Sequence, residues 1–294
     1  MTVNDNARLA ELDRAGFLPA DGQEMGTFFD RAAEIRSEYR NFICKIAKDD
    51  VFAQKCGLKN CEPIPRKCIA EAAEITAGLF GFSCDHAPGF FSAVGGLWGG
   101  CTICDPELPL PYFLLRKDFS RRKKWFCYRR DELLAHELCH IVRASLADDD
   151  LEEYFAYRTS YSALRRWCGD IFSSSFQTLI FAVLALSLPV VQAVKSFWLA
   201  GFPVYIFQLG FAGFILYLAA VTFCRHRLVG KAEKKLASAG IKSPLAVLFR
   251  LKKCEIRELL KCRDVREFAE KKARHDLRWQ IIRLRFFSST PESL

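Results

Sequence analysis

The segment 136–140, His-Glu-Leu-Cys-His, carries the side chains best suited to chemistry in this chain. It matches H-E-x-x-H, in which two histidines four residues apart project from the same face of a helix. Two imidazole nitrogens can then bind one Zn²⁺ without distorting the backbone. Glu137 can take a proton from a water that attacks a carbonyl. The pattern predicts a zinc hydrolase site, with His136 and His140 as metal ligands and Glu137 as the general base.

The opposing interpretation of this segment is an ordinary amphipathic helix with two surface histidines. The chain has only five histidines, so two at this spacing around a glutamate are seldom a coincidence. The flanking side chains are apolar around most of the helix, which indicates burial. They are Leu133, Leu134, Ala135, Leu138, Ile141 and Val142. Buried histidines need partners, and a metal ion is one such partner.

Zinc catalysis requires a third protein ligand and one open coordination position. Glu153 comes thirteen residues after His140, in the first turns of a helix that the aspartates at 148–150 are predicted to begin. We predict that Glu153 faces back toward the two histidines and completes the ligand set. Glu152 competes for this role because it is adjacent. A solvated acidic helix start is the alternative for both glutamates.

These two helices resemble those of the gluzincin metallopeptidases, the thermolysin-like clan. The third ligand of that family is the glutamate of an E-x-x-A-D or E-x-x-A-N sequence. The segment 153–157, Glu-Tyr-Phe-Ala-Tyr, matches the glutamate and the alanine. Tyr157 stands where the family has an Asp or Asn that braces a zinc histidine. The resemblance covers about residues 66–168 and leaves the bracing group unidentified.

The resemblance also implies a reaction and an order of elements. The reaction is peptide-bond hydrolysis with one catalytic Zn²⁺, and a Tyr or His donor stabilises the oxyanion. The candidates for that donor are Tyr154, Tyr157, Tyr161 and His86. The family order is a small sheet, the histidine helix and the glutamate helix, and an edge strand binds substrate by backbone pairing. Here residues 111–115 and 124–128 are predicted as strands joined by a basic turn.

Residues 167–224 contain only two charged side chains, Asp170 and Lys195. The runs 171–194 and 197–224 each reach the roughly 20 residues that cross hydrocarbon as a helix. We predict a transmembrane helical hairpin, with a buried core hairpin as the alternative. Arginines flank the pair on the outside and Lys195 alone lies between the runs, which favours a cytoplasmic location for both termini.

The glutamate helix is predicted to continue nearly unbroken into the first apolar run. The 18 residues from Glu153 to Ile171 would span about 27 Å as a helix. A zinc ion bound at Glu153 would then lie close above the cytoplasmic leaflet. The predicted substrates are therefore membrane-proximal or membrane-recruited proteins.

The chain contains thirteen cysteines without a small secreted framework, which indicates a reducing compartment. Cys101 and Cys104 form a C-x-x-C pair, and with Cys84 and His86 they could hold a second, structural zinc. The spacing between the two pairs is not a standard one. Ordinary buried thiols are the simpler interpretation.

The net charge of +9 is concentrated after the apolar runs. Residues 225–294 contain 19 basic and 8 acidic side chains, a net charge of +11. Beside a membrane, this region is expected to attract anionic lipid headgroups. Nucleic acid ranks lower as a partner because no binding motif is present. The apolar stripe of the region can either lie on the membrane or pack on the catalytic domain. Its residues are Phe268, Leu277, Ile281 and Leu284.

These patterns predict an α+β chain in four parts. They are an N-terminal helical segment (1–62), a zinc metallopeptidase domain (63–169), a transmembrane helical hairpin (170–224) and a basic helical C-terminal region (225–294). The predicted function is a membrane-anchored zinc endopeptidase on the cytoplasmic side. The alternatives are a zinc hydrolase acting on lipid-linked or amide substrates, and a non-enzymatic membrane scaffold or sensor with a structural metal site.

Overall fold

The computed structural model describes residues 3–84, 86–93, 99–104 and 110–287. Within these ranges the chain is mostly helical, with one four-stranded mixed sheet and one two-stranded hairpin. Two of the helices are long and apolar. This is the α+β composition that the sequence predicts.

The helices before the long pair are α1 (Val3–Arg14), α2 (Met25–Lys48), α3 (Asp50–Lys55), α4 (Arg66–Phe80), α5 (Asp118–Arg121), α6 (Arg130–Arg143), α7 (Asp149–Tyr157) and α8 (Ala163–Cys168). The long pair and the helices after it are α9 (Ser175–Phe197), α10 (Val204–Ser238), α11 (Pro244–Phe249), α12 (Lys253–Lys261), α13 (Val265–Ala273) and α14 (Leu277–Ile282). Helix α6 contains the H-E-x-x-H segment, and α7 contains Glu153.

The sheet lies beside α6 and has the order β1-β2-β4-β3. Its strands are β1 (Glu62–Pro63), β2 (Gly89–Ser92), β3 (Gly100–Ile103) and β4 (Tyr112–Arg116). Strands β2 and β4 are parallel, and β3 pairs antiparallel with β4. Strand β3 is therefore at one end of the sheet, next to the histidine helix.

The predicted strand at 124–128 is wrong. These residues form part of a tight hairpin of β5 (Lys124–Trp125) and β6 (Tyr128–Arg129), and α5 separates the hairpin from β4. The chain reverses at Phe126, which has a φ of 52°. Trp125 and Tyr128 both pack against the core, so the chain must turn between them.

The main hydrophobic core contains residues from both sides of the long helices. Leu134 of α6 and Phe155 of α7 belong to the same buried cluster as Phe249 and Trp279. In the apolar stripe of the C-terminal region, two side chains are buried and two are partly buried against other protein side chains. Of the two alternatives for that stripe, the structure shows packing on the protein. The attraction of the basic side chains to lipid headgroups stays a prediction.

Helices α9 and α10 are long and apolar enough to cross a membrane, with mean hydropathies of 1.9 and 2.0. Only 6% and 11% of their apolar windows are buried, which does not fit the alternative of a buried core hairpin. The first helix begins four residues later than the predicted run. The second continues to Ser238, and its end enters the main core through Val229, Ala232 and Leu236.

The predicted continuous helix from Glu153 to Ile171 is also wrong, because α7 ends at Tyr157. The hydroxyl of Thr159 donates to the carbonyl of Ala156 at 2.6 Å, and that of Ser160 donates to Glu132 at 3.0 Å. Such side chains offer the backbone an alternative to helical hydrogen bonds. The chain then restarts as the short helix α8 before it reaches α9.

Candidate metal centre

His136, His140 and Glu153 meet at one point between α6 and α7. The Nε2 atoms of the two histidines lie 3.2 Å apart. Nε2 of His136 is 3.6 Å from Oε2 of Glu153, and Nε2 of His140 is 3.6 Å from the other oxygen, Oε1. A tetrahedral Zn²⁺ with bonds of about 2.0–2.1 Å separates its ligand atoms by about 3.3 Å. The two imidazole nitrogens therefore have the spacing of zinc ligands, and the carboxylate of Glu153 lies beside both of them, all within 4.8 Å.

The turn between α6 and α7 determines which side of α7 faces the histidines. Helix α6 ends in a 3₁₀ turn, and Ala147 then reverses the chain with a φ of 47°. Leu151 and Phe155 bury the opposite face of α7 in the main core. Because Leu151 and Phe155 point into the core, Glu153 is left facing His136 and His140.

Glu152 lies behind His140 and outside the ligand cluster. Its Oε2 atom is 3.5 Å from Nδ1 of His140, and its Oε1 accepts a hydrogen bond from Arg143 at 3.0 Å. A carboxylate at the far ring nitrogen orients a metal-binding histidine and selects its tautomer. Glu152 thus lies where a group that braces His140 would be, a group that the departure at Tyr157 leaves unidentified in the sequence.

Arg143 connects this support to the C-terminal region. Its side chain is fully buried, forms an ion pair with Asp148 at 3.3 Å and donates to the backbone carbonyl of Phe249. Sequence reasoning missed Arg143. Its partner Phe249 is more than a hundred residues away, and no local pattern marks that contact.

Tyr157 packs edge-on against His136, with ring centroids 4.6 Å apart. Burial raises the pKa of Tyr157 to about 12, so its hydroxyl stays protonated and can donate a hydrogen bond. The ring also occupies the space above Gly169, where a Cβ would lie 2.2 Å from it. The position of Tyr157 therefore depends on the absence of a side chain at residue 169.

Gly169→Ala is expected to lower the free energy of unfolding by about 1–3 kcal/mol, because Tyr157 has to move. Gly78→Ala is the matched control, since a Cβ at Gly78 meets nothing within 4 Å. Gly78 lies in the last turn of α4, where that change should stabilise the protein by up to about 1 kcal/mol. Thermal unfolding of the full chain in detergent compares the two variants. Equal stability would contradict the packing of Tyr157 over Gly169.

Glu137 is buried beside the ligand cluster, and Thr102 of β3 donates a hydrogen bond to its Oε2 at 2.6 Å. Burial raises the pKa of Glu137, and the charge of His140 and the bond from Thr102 oppose this only in part. A raised pKa makes a carboxylate better suited to act as a general base near neutral pH. Thr102 is a further residue that the sequence did not indicate, because β3 and α6 are distant in sequence.

The surroundings shift the pKa values of the two histidines in opposite directions. Burial lowers the pKa of His136 well below its ordinary value, which leaves a neutral imidazole suited to a metal. Burial also lowers the pKa of His140, but the hydrogen bond that its ring donates to Glu152 and the charges of Glu153 and Glu137 outweigh this effect and raise that pKa to about 9. The carboxylates around the imidazoles thus favour a positive charge, which a bound cation would supply.

The ligand cluster lines a cleft of about 680 Å³ that is bordered by β3. Tyr128 and Arg165 also reach this cleft, although nothing in the sequence indicates it. A second cavity of about 540 Å³ shares the carboxylate of Glu153 and extends to Ser173 and Thr178. The site therefore opens toward the start of α9.

Of the four candidate oxyanion donors, Tyr157 is the one that lines the cleft. Tyr154 packs against His226 with ring centroids 4.9 Å apart, and Tyr161 borders a different cavity. His86 stacks on Phe17 with ring centroids 3.9 Å apart.

The four residues considered for a second zinc site are not brought together. Cys84 lies 3.6 Å from His86 in the core, whereas Cys101 and Cys104 line the main cleft. Among the described residues, only the cluster of His136, His140 and Glu153 could hold a metal. Burial raises the pKa of Cys101 and of Cys104, and the nearby carboxylates of Glu137 and Glu152 add to the effect.

No protein-family model, curated protein or solved structure matches this chain. A fold alone would not determine an activity in any case, because one fold supports many kinds of chemistry. The function therefore has to be inferred from the residues of the site and their geometry.

Proposed function

We propose that the chain is a membrane-anchored zinc endopeptidase of the gluzincin type. One observation carries this proposal: two imidazole nitrogens lie 3.2 Å apart, and each is 3.6 Å from one of the two oxygens of the same carboxylate. Beside them are a buried glutamate, Glu137, and the end strand of a sheet. The order of sheet, histidine helix and glutamate helix agrees with the resemblance to that family.

Each residue of the site has a role in this proposal. Zinc held by His136, His140 and Glu153 would polarise the scissile carbonyl and lower the pKa of a water. Glu137 accepts a proton from the attacking water and passes it to the leaving amine. The protonated hydroxyl of Tyr157 donates to the developing oxyanion. The protein thus supplies the ligands, the base and the donor from two neighbouring helices.

Strand β3 favours a peptide as the substrate over a lipid-linked or other amide compound. It ends the sheet order, and among the described residues no strand pairs with its outer edge. An extended peptide can pair with such an edge through backbone hydrogen bonds. Thr102 of this strand is bonded to Glu137, so a peptide paired there would run past the base.

Helices α9 and α10 would hold this site at a membrane. The charge pattern around them favours cytoplasmic termini and a cytoplasmic catalytic domain. The cavity that extends from Glu153 to Ser173 and Thr178 opens the site toward the start of α9, where the membrane surface would lie in this proposal. The substrates we propose are therefore membrane-proximal or membrane-recruited proteins.

A non-enzymatic membrane scaffold with a structural metal site is the second candidate. Tyr157 favours it, because the gluzincin pattern has Asp or Asn at this position. A scaffold would keep the metal ligands but would not require the base Glu137. Metal content and catalysis therefore separate the two candidates.

The test uses the full chain in lipid nanodiscs, because the main core includes residues on both sides of α9 and α10. We expect one zinc per chain and cleavage of a peptide library that stops on chelation and returns with zinc. Zinc without cleavage of any substrate would support the scaffold. Hydrolysis of lipid-linked substrates alone would support a different zinc hydrolase. A chain that binds no zinc would refute all three metal-based functions.

A further inference from the structure

The hairpin of β5 and β6 presents an exposed aromatic side chain within a cluster of positive charge. Residues 121–130, here called the basic hairpin, contain six Arg and Lys and no Asp or Glu. Phe126 at its tip is 85% exposed. Arg121, Arg122 and Lys124 are exposed, and none of the three forms an ion pair with any described residue. The three charges therefore have no ion-pair partner among the described residues, and the contact of Phe126 with the Trp125 ring leaves most of its side chain exposed.

The backbone at the tip is also unfavourable for the residue that it carries. Phe126 has a φ of 52°, in the left-handed region where Gly or Asn is preferred in two-residue turns. Trp125 and Tyr128 stack with ring centroids 6.2 Å apart and pack against the core, which holds Phe126 outward. An aromatic residue that is both strained and exposed suggests a partner outside the chain.

The base of the basic hairpin contacts the segment that leads into α9. The guanidinium of Arg165 lies 4.7 Å from the centre of the Tyr128 ring, and that of Arg129 lies 4.6 Å from the Tyr161 ring. Further along this segment, Trp167 stacks on His226 at 4.8 Å, where α10 leaves its apolar stretch. These contacts put the base of the hairpin close to the segment that leads into α9. The apolar stretch of α10 ends near the same segment.

Exposed apolar side chains outside the long helices concentrate at the same level. Before α9, the described residues include six large exposed hydrophobic side chains. Four of them belong to the basic hairpin or to residues 161–167, namely Phe126, Tyr161, Leu164 and Trp167. The surface beside the membrane helices thus combines aromatic side chains with unpaired positive charges. This combination is typical of protein surfaces that lie in the headgroup region of a bilayer.

We propose that the basic hairpin is a second membrane contact of this protein. Phe126 inserts into the headgroup region of an anionic leaflet, and Arg121, Arg122 and Lys124 bind the lipid headgroups. The uniform positive charge, and the contacts of the hairpin base with the segment that leads into α9, favour lipid over a protein partner. The inference rests on the membrane anchoring in the proposed function, but it does not depend on the metal or on catalysis.

Hydrogen exchange of the full chain in nanodiscs tests this contact. One set of discs contains phosphatidylcholine alone, and the other also contains phosphatidylserine. We expect the backbone amides of residues 121–130 to exchange about fivefold or more slowly in the anionic discs. Phe126→Gly should remove most of this protection, and glycine suits the positive φ, so the fold should be kept. The combined change Arg121→Gln, Arg122→Gln and Lys124→Gln should remove it as well.

Two control variants should keep the protection. Val51→Ser removes an equally prominent apolar side chain from α3, since Val51 is 81% exposed. The combined change Lys261→Gln, Arg263→Gln and Lys271→Gln removes the same number of exposed charges from the C-terminal region. Loss of protection in the C-terminal variant would assign the lipid contact to that region and would overturn the proposal.

Other outcomes also overturn the proposal. Equal exchange of residues 121–130 in the two kinds of disc would show that the basic hairpin does not bind anionic lipid. Protection that appears in detergent and grows with protein concentration would indicate a contact with a second copy. If the protein does not co-elute with the discs, the anchoring by α9 and α10 has failed, and the hairpin contact fails with it. Peptide cleavage, measured separately, reports on the metal site alone.

Discussion

Glu137→Gln is expected to reduce peptide hydrolysis by about 10²–10⁴-fold, the usual contribution of a general base. Glutamine has nearly the same shape and can still accept the hydrogen bond from Thr102, but it cannot take a proton. Because Glu137 lies outside the cluster of His136, His140 and Glu153, the zinc content should not change. Cleavage rate and zinc content of the purified full chain are the measurements.

Glu34→Gln is the matched control for this variant, since Glu34 is an exposed glutamate on α2. It should cleave and bind zinc like the unaltered chain. Normal cleavage by Glu137→Gln would show that another group acts as the base. A loss of zinc in that variant would instead make Glu137 part of the ligand set.

Glu153→Gln is expected to lower the affinity for zinc more than Glu152→Gln does. Glu153 offers a ligand oxygen to the cluster. Glu152 contacts His140 at the far ring nitrogen and offers the cluster no ligand atom. Loss of an orienting carboxylate typically lowers metal affinity about 10–100-fold. Loss of one of three direct ligands should exceed that range. Competition between the full chain and a zinc-binding chelator measures both affinities.

His136→Ala is the reference for complete loss of a ligand and should resemble Glu153→Gln. The order of the two glutamate variants is the decisive result. If Glu152→Gln weakened zinc binding more than Glu153→Gln, Glu152 would be the third ligand. The geometry between α6 and α7 would then have to change when the metal binds.

Local sequence was sufficient wherever the relevant residues are close in the chain. The spacing of His136 and His140 on one helix face follows from helical geometry alone. The two long helices could be found because the length of an apolar run needs no tertiary information.

Packing decided the points at which adjacent residues compete. Glu152 and Glu153 are neighbours, and their different directions become clear only once Leu151 and Phe155 are buried. The prediction of a continuous helix after Glu153 was wrong because the hydroxyl of Ser160 donates a hydrogen bond to Glu132, a residue on another helix. The periodicity of the sequence does not predict a contact between residues on different helices.

The sequence by itself was sufficient to recognise the two histidines and the glutamate between them as a candidate site, and to find the apolar stretches of α9 and α10. The tertiary structure alone decided that Glu153 meets the histidines, that Glu152 and Arg143 support His140, and that Thr102 of β3 reaches the base. The physical reason is the distance along the chain between the residues that interact. A helix fixes the relative positions of side chains within a turn or two, whereas contacts between distant segments depend on how the whole core packs.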